Sequence, residues 1–269
     1  VPPRRCARKS QDFGPQYNRC VEEGNGNTPG DDLWVTYSMN KEDIWVSRIP
    51  VPVRQHETEP VNDNFDDLKV DGPVPNWNTY SPRWAPVRVA SVPGTANKCL
   101  ELQDKDPYDY ARAIRVFPET KLASVHFKVR AKQNDAGRLE IDVTDRFGHR
   151  PVRLVFDADG RIKAINGGNV VALGAYVPGR WYEFGLNIDV ASGAFDISLD
   201  DKSVVSAAVF AEFVNSVERI SFRTGPHRSE PTLRHATAAQ PDRTTPDPDV
   251  PESLAVFHID DVSVVPGTD

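Results

Sequence analysis

"VPGRWYEFGLNIDVASGAFDISLDDKSV", residues Val177 to Val204, decides the fold. Strand candidates Trp181–Val190, Ala194–Leu199 and Ser203–Phe210 run through it, separated only by "ASG" and "DD". Short aromatic and β-branched runs joined by such brief turns predict antiparallel hairpins. The same rhythm continues on both sides. Upstream candidates are Asn64–Val70, Pro86–Ser91, Lys98–Gln103, Ala111–Phe117, Leu122–Ala131, Arg138–Thr144, Val152–Phe156, Ile162–Ile165 and Val170–Leu173; downstream are Val217–Arg223 and Leu254–Val265. Turn signals such as "NDAG", "DRFGH", "DADG" and "NGG" separate them. Many short alternating strands at near-regular spacing imply an all-β, two-sheet sandwich.

Composition agrees. The 269 residues are 39% apolar, with 23 Pro and one Met, which favours turns and strands over helices. A net charge of -7 argues against a nucleic-acid surface, which needs clustered positive charge. The basic cluster Arg4, Arg5, Arg8 and Lys9 reads as a solvated segment. No stretch approaches the roughly 20 apolar residues of a membrane span. The chain opens on Val1 without a signal peptide, so it is expected to be a mature product or a piece of something longer. Cys6 and Cys20 flank an irregular loop and form the disulfide candidate of a secreted protein, whereas Cys99, in "KCLEL", reads as a small buried side chain. None sits in a C-x-x-C pair, which disfavours zinc.

Three regions are expected. Residues 1–55 form one unit, 56–63 a linker, and 64–269 the sandwich, with a long Pro/Thr/Asp-rich surface loop over 224–253. In the first unit, Leu33–Ser38 and Ile44–Val51 predict a hairpin carrying Trp34 and Trp45, and Pro50 and Pro52 end its pairing. The stretch before it has no clear periodicity, although "SQDFGPQY", Ser10 to Tyr17, has the spacing of an Asp box.

"NFDDLKVDGPVPNW" and "FHIDDVSVV" resemble the first and last strands of concanavalin-like jelly rolls, and Val177–Val204 resembles their central hairpin. "LWVTYSMNKEDIWVSRIPVPV" resembles the last blade of BNR-type, sialidase-like propellers of secreted bacterial polysaccharide-degrading proteins. The departure is that one blade is present, not six. The resemblance implies a secreted or periplasmic, bacterial-type accessory region: a jelly-roll β-sandwich preceded by a blade-like hairpin, with a polysaccharide or oligosaccharide as partner or a catalytic propeller to brace. The alternatives are part of a sialidase-like glycoside hydrolase or polysaccharide lyase whose other blades lie on another chain, and a structural interaction module without a sugar site.

No conventional catalytic motif appears: there is no H-E-x-x-H, G-x-S-x-G or P-loop, and "DADG" and "DKDPYD" fail the EF-hand pattern. The scattered histidines form no motif. Within the hairpin, Tyr37, Glu42 and Arg48 are the groups a propeller would aim at a sugar; the bland alternative is a packed aromatic beside a solvated turn. The resemblance implies a structural calcium ion tying the first strand region to the last, through Asp66 or Asp67 and Asp260 or Asp261. Trp77, Tyr80, Arg83 and Trp84 in "NWNTYSPRWAPVR" offer aromatic faces and planar polar groups for a sugar; equally they are candidates to plug the sandwich edge. Arg112 and Arg115 are expected to pair with nearby Asp residues.

Overall fold

A computed structural model describes residues 15–22, 32–39, 43–50, 57–107, 109–225 and 250–267. The chain falls into two compact units. The first contains a three-stranded antiparallel sheet of β1 (Pro15–Glu22), β2 (Asp32–Met39) and β3 (Asp43–Pro50), in that order. The expected hairpin is β2–β3, with Tyr37 opposite Trp45 and Trp34 opposite Arg48. β1 is an addition: its run "PQYNRCVE" carries no alternation to betray it, and pairing with β2 through a register shift between Gln16 and Arg19 supplies the strand.

The second unit is a sandwich of two antiparallel sheets. One has seven strands in the order β13-β12-β11-β10-β17-β8-β5. These are β5 (Trp77–Tyr80), β8 (Arg112–Thr120), β10 (Leu139–Thr144), β11 (Val152–Phe156), β12 (Arg161–Asn166), β13 (Asn169–Ala175) and β17 (Val217–Thr224). The other runs β16-β15-β14-β9-β18-β7-β6, with β4 paired to β18. Its members are β4 (Val61–Asp63), β6 (Val87–Ser91), β7 (Lys98–Asp104), β9 (Leu122–Ala131), β14 (Trp181–Asp189), β15 (Ala194–Leu199), β16 (Lys202–Val209) and β18 (Ala255–Pro266). Among the described residues no helix is long and apolar enough to cross a membrane.

The layers are joined by aromatics from both sheets. Phe127 stacks on Phe184 at 5.2 Å and meets Phe222 edge-on at 5.4 Å, while Phe156 contacts Phe184 at 5.8 Å. All four rings are at most 1% exposed. Such pairs contribute about 0.5–1.5 kcal/mol beyond their burial. Gly137 shows how tightly the sandwich closes. Its φ is +69°, and a Cβ there would lie 2.1 Å from the Ala255 Cβ, so only glycine fits.

Two expectations are corrected. Asn64–Val70 is not a strand. The Asn64 side chain accepts the Asp66 N–H at 3.3 Å, Leu68 N–H reaches the Phe65 carbonyl at 3.1 Å, and Phe65 takes a φ of 62°. Local Asx hydrogen bonding wins over extended structure there. The strand lies one step earlier: Val61–Asp63, inside the expected linker, pairs with Val262–Val264. The second correction is Trp77–Tyr80, a strand hidden among turn residues, which pairs with Arg112–Arg115. The 224–253 loop lies mostly outside the described residues.

Candidate functional site

The four residues expected to form one sugar platform do not converge. Trp77 is 8% exposed, with its ring 5.6 Å from Phe65 and 6.1 Å from Phe222. Its indole N–H donates to Asp63 Oδ2 at 2.9 Å, the same oxygen that accepts Arg115 Nε–H at 2.8 Å. Trp77 and Arg115 thus plug the sandwich edge, and Trp77 has no face to offer a ligand. Arg83 is exposed and Trp84 half-buried in the turn leading to β6, where the Trp84 carbonyl accepts Lys105 N–H. Tyr80 alone reaches the outer face of the seven-stranded sheet.

That face is built by alternation. Leu139, Ile141 and Val143 of β10 point into the core, so Glu140, Asp142 and Thr144 point away from it, and all six residues are buried. Antiparallel register then aligns neighbours across strands. One row reads Tyr80, Arg112, Arg223, Glu140, Val155 and Lys163; the next reads Asn78, Ile114, Ser221, Asp142 and Arg153. Tyr110, just before β8, lies beside the first row. Its ring is 5.0 Å from that of Tyr80, and the guanidinium carbons of Arg223 and Arg112 lie 4.0 and 5.8 Å from its centroid. The Tyr80 hydroxyl donates to Asp109 Oδ2 at 3.0 Å.

The carboxylates of this face are met by cations. Glu140 pairs with Arg138 Nε at 3.1 Å and Arg150 Nη1 at 3.3 Å. Asp142 pairs with Arg150 Nη1 at 3.4 Å, and meets Arg153 Nε only at 3.9 Å. Burial pushes the Asp142 carboxyl up to about 6 against the pull of Arg150, and burial lowers the Arg223 guanidinium. Four buried atoms here have no hydrogen-bond partner: Arg112 Nε, Arg138 Nε, Arg223 Nη1 and Asp142 Oδ1. Arg115 pairs with an Asp as expected; Arg112 has no carboxylate within ion-pair distance among the described residues. The sequence signal for this face was an outward-phase arginine on several of its strands, such as Arg112 on β8, Arg153 on β11 and Arg223 on β17, but nothing in it gave the burial. Planar polar groups beside aromatic rings can orient the hydroxyls and C–H faces of a sugar where they reach the surface, as the half-buried Tyr80, Tyr110 and Arg112 do.

A depression of about 340 Å³ elsewhere, lined by Ser124, Asn187, Asp189, Asp196 and Phe195 among others, is chemically quieter. Asp189 accepts the Ala191 and Ser192 N–H groups, Asp196 accepts Ala207 N–H, and Phe195 is 2% exposed and turned to the core.

Of the calcium candidates, Asp66 and Asp260 lie near enough for the charge of one to act on the other. Asp260, 3% exposed, takes Asn97 Nδ2–H at 2.7 Å and Asp261 N–H at 2.8 Å. Burial pushes its carboxyl up to about 6, and the charges of Asp261 and Asp66 add to the rise. Asp66 Oδ1 accepts Lys98 N–H at 2.8 Å, and the Lys98 ammonium donates to the Asp66 carbonyl. Both residues are met by N–H donors and by the Lys98 ammonium, so the oxygens available to a hard cation such as calcium here are those of Asp66 and Asp260 themselves. Among the described residues no three His, Cys, Asp or Glu side chains form a metal-sized group, so backbone carbonyls would have to supply the remaining ligands. Asp67 is exposed, and Asp261 pairs with Lys128 at 2.8 Å.

Of the hairpin candidates, Tyr37 is half-buried on β2, Arg48 lies on β3 opposite Trp34, and Glu42 falls outside the described residues, as do Cys6 and the side chains of Arg48 and Cys20. Cys99 is fully buried, as expected.

Residues 77–239 match the family described as sialidase-like, CBM domain, which is more than half of the chain. No curated protein matches the sequence. A solved sialidase superposes with a TM-score of 0.81 at 38% identity over 94% of this chain, which spans only 23% of that enzyme's length. Two further structures share the fold alone. The Crh5 transglycosylase has a TM-score of 0.53 at 11% identity, covering 78% of this chain and 85% of its own. An alginate lyase in complex with alginate trisaccharide has a TM-score of 0.53 at 10% identity, covering 78% and 98%. Matched over most of its sandwich, this chain belongs to the family of sialidase-like CBM (carbohydrate-binding module) domains.

Proposed function

We propose that this chain is a non-catalytic accessory region of a secreted, sialidase-type protein, and that it binds a polysaccharide or oligosaccharide on the outer face of the seven-stranded sheet. The observation that carries this reading is the row Tyr80–Arg112–Arg223–Glu140 with Tyr110 alongside: aromatic rings and guanidinium planes aligned by register on one face. Family membership and the 38% identical sialidase support a carbohydrate-related role. The three-stranded β1–β3 sheet is read as the last blade of a propeller, supplied by the remainder of a longer protein or by another chain. Calcium at Asp66 and Asp260 is read as structural.

The test is isothermal titration of this chain with an oligosaccharide panel, alongside a Tyr110→Ala variant. Binding to at least one glycan that Tyr110→Ala weakens supports the assignment, and no binding across the panel counts against it. A second reading rests on Glu140 and Asp142, neighbouring carboxyls of one strand face, because a carboxyl pushed up to about 6 beside a second carboxyl is the arrangement glycoside hydrolysis uses. Arg138, Arg150 and Arg153 around them favour binding over turnover. Reducing-sugar release by the wild type that Glu140→Gln abolishes would favour the hydrolase.

A further inference from the structure

The two sheets of the sandwich end in the edge strands β13, β5, β16 and β6, and three of these are blunted. β5 is four residues long and is soon followed by Pro82. β6 carries Arg88, bound to Glu101, and lies between Pro86 and Pro93. β16 is kinked by two register shifts, and Ala207 within it takes a φ of 52°. Short strands, charges, prolines and bulges are the devices by which natural edges avoid pairing with other chains. β13 has neither charge nor proline, and its one register shift leaves Asn169–Ala172 regular against Lys163–Asn166. Among the described residues nothing pairs with its outer side, and Val170 is 64% exposed. A row of main-chain N–H and C=O groups thus stands open beside apolar side chains.

β13 and β16 share one side of the sandwich. Gly167 N–H donates to the Val209 carbonyl at 2.7 Å and Val209 N–H to Asn166 Oδ1 at 2.8 Å, which fixes the β12–β13 turn against the end of β16. Val209 is 57% exposed, and Phe213, on the crossing that follows β16, is 97% exposed. Neither Asn169–Ala175 nor Ser203–Val209 contains a charge. Beside them, Lys163 of β12 is engaged with Asp157 and Asp159, and Asp196 of β15 accepts the Ser206 hydroxyl and Ala207 N–H. We propose that this side is the interface of a twofold dimer, in which Asn169–Ala172 pairs antiparallel with the same segment of a second copy. A twofold axis normal to the sheets sets β13 against β13 and β16 against β16 together. An identical chain therefore covers both layers, whereas a lone extended peptide covers one. Charge points the same way. A side this poor in free charge adds little repulsion between copies, although each chain carries -7 overall, and it offers no grip to a partner recognised by charge.

The experiment is sedimentation velocity of the wild-type chain from about 1 to about 200 μM, with amide hydrogen exchange followed over the same range. The expected result is a dimer that dissociates on dilution. Amides of Asn169–Ala172 should exchange about tenfold or more slowly at the concentrated end than at the dilute end. Val170→Lys puts a charge on the edge and should weaken association about tenfold or more. Because Val170 is 64% exposed, the dilute variant should melt at the wild-type temperature. A dimer that Val170→Lys leaves intact, or one without slowed exchange at Asn169–Ala172, overturns the edge pairing. Should that variant misfold, the wild-type exchange data decide the matter. A chain that stays monomeric throughout overturns the second copy as occupant, in favour of another part of a longer protein, since this chain spans 23% of the solved sialidase's length.

Discussion

The Arg223 guanidinium carbon lies 4.0 Å from the centroid of the Tyr110 ring, in a position where Arg223 is nearly buried. A cation held over a ring face, away from water, gains about 2 kcal/mol at the upper end of measured pairs. Tyr110→Leu keeps bulk and removes the face. We expect a loss of about 1 kcal/mol in urea unfolding together with about tenfold weaker saccharide binding. Unchanged binding with the same loss of stability would make Tyr110 a packing residue only.

Trp77 predicts the opposite pattern. Its ring lies against Phe65 and Phe222, and its N–H shares Asp63 with Arg115. Trp77→Ala empties an aromatic site and should cost about 3–5 kcal/mol, whereas Trp84→Ala, in a half-buried turn, should cost far less. Denaturant curves of the two variants separate an edge plug from a sugar platform. Equal stability would restore Trp77 as a surface aromatic.

The contrast between Trp77 and Arg223 shows what the sequence could convey. Strand positions were legible because glycine turns punctuate them: Asp157–Gly160 closes with Gly160 N–H on the Asp157 carbonyl, and Val190–Gly193 does the same. Trp77 sits between Asn76 and Asn78 and so read as loop; only its pairing with Arg115 makes it strand. The outer face was illegible for a different reason. "LEIDVT" has the alternation of a half-solvated strand, and nothing local shows that Glu140 and Asp142 are buried. Arg150 and Arg153 meet these carboxyls only because the sheet order places β11 and the turn before it beside β10. Asn64–Val70 was misread because an Asx turn and a strand share the same polar–apolar alternation.

Glu101 and His258 form a buried pair across β7 and β18, Nε2 to Oε2 at 2.8 Å. Burial alone would push the Glu101 carboxyl up, yet hydrogen bonds from His258, Lys132, Arg88 and Gln103 overcome it and hold the group well below the usual carboxylate range. A folded-state value below the unfolded one gives stability that is complete above the unfolded pKa of about 4.3 and drains as pH falls towards the folded value. Glu101→Gln should therefore lose about 3 kcal/mol at pH 7. Urea curves at descending pH should show the gap between wild type and variant closing once the pH passes below about 4. A gap that stays constant to pH 3 would remove this network from the acid response.

Gly137 tests the closeness of the two strands it joins. Ala there must adopt a φ of +69° and displace Ala255, whose Cβ would be 2.1 Å away. Gly137→Ala should cost about 2–4 kcal/mol, the sum of left-handed strain and overpacking. The double variant Gly137→Ala with Ala255→Gly should recover the overpacking share but not the strain, so partial rescue in thermal melts is expected. Full rescue would mean that the backbone conformation costs nothing, and no rescue would mean that the clash does not matter.

Asp260 carries the calcium reading. Its carboxyl is pushed up to about 6 by burial, above the unfolded value of about 3.9. The sign is the reverse of Glu101: stability from this group is present below the unfolded pKa and is lost as pH rises between about 4 and 6. In chelator at pH 7.5 the ionised group is a burden, so Asp260→Asn, which keeps the shape, should be about 2 kcal/mol more stable than wild type. At pH 4 the two should coincide. A bound cation removes the burden, so millimolar calcium should raise the melting temperature of wild type and leave the Asn variant unmoved. If calcium leaves wild type unmoved while the Asn variant gains stability in chelator, the Lys98 ammonium on the Asp66 carbonyl is the only cation the site uses. If Asp260→Asn loses stability in chelator, the carboxylate is better satisfied by Asn97 and the Asp261 N–H than its burial implies.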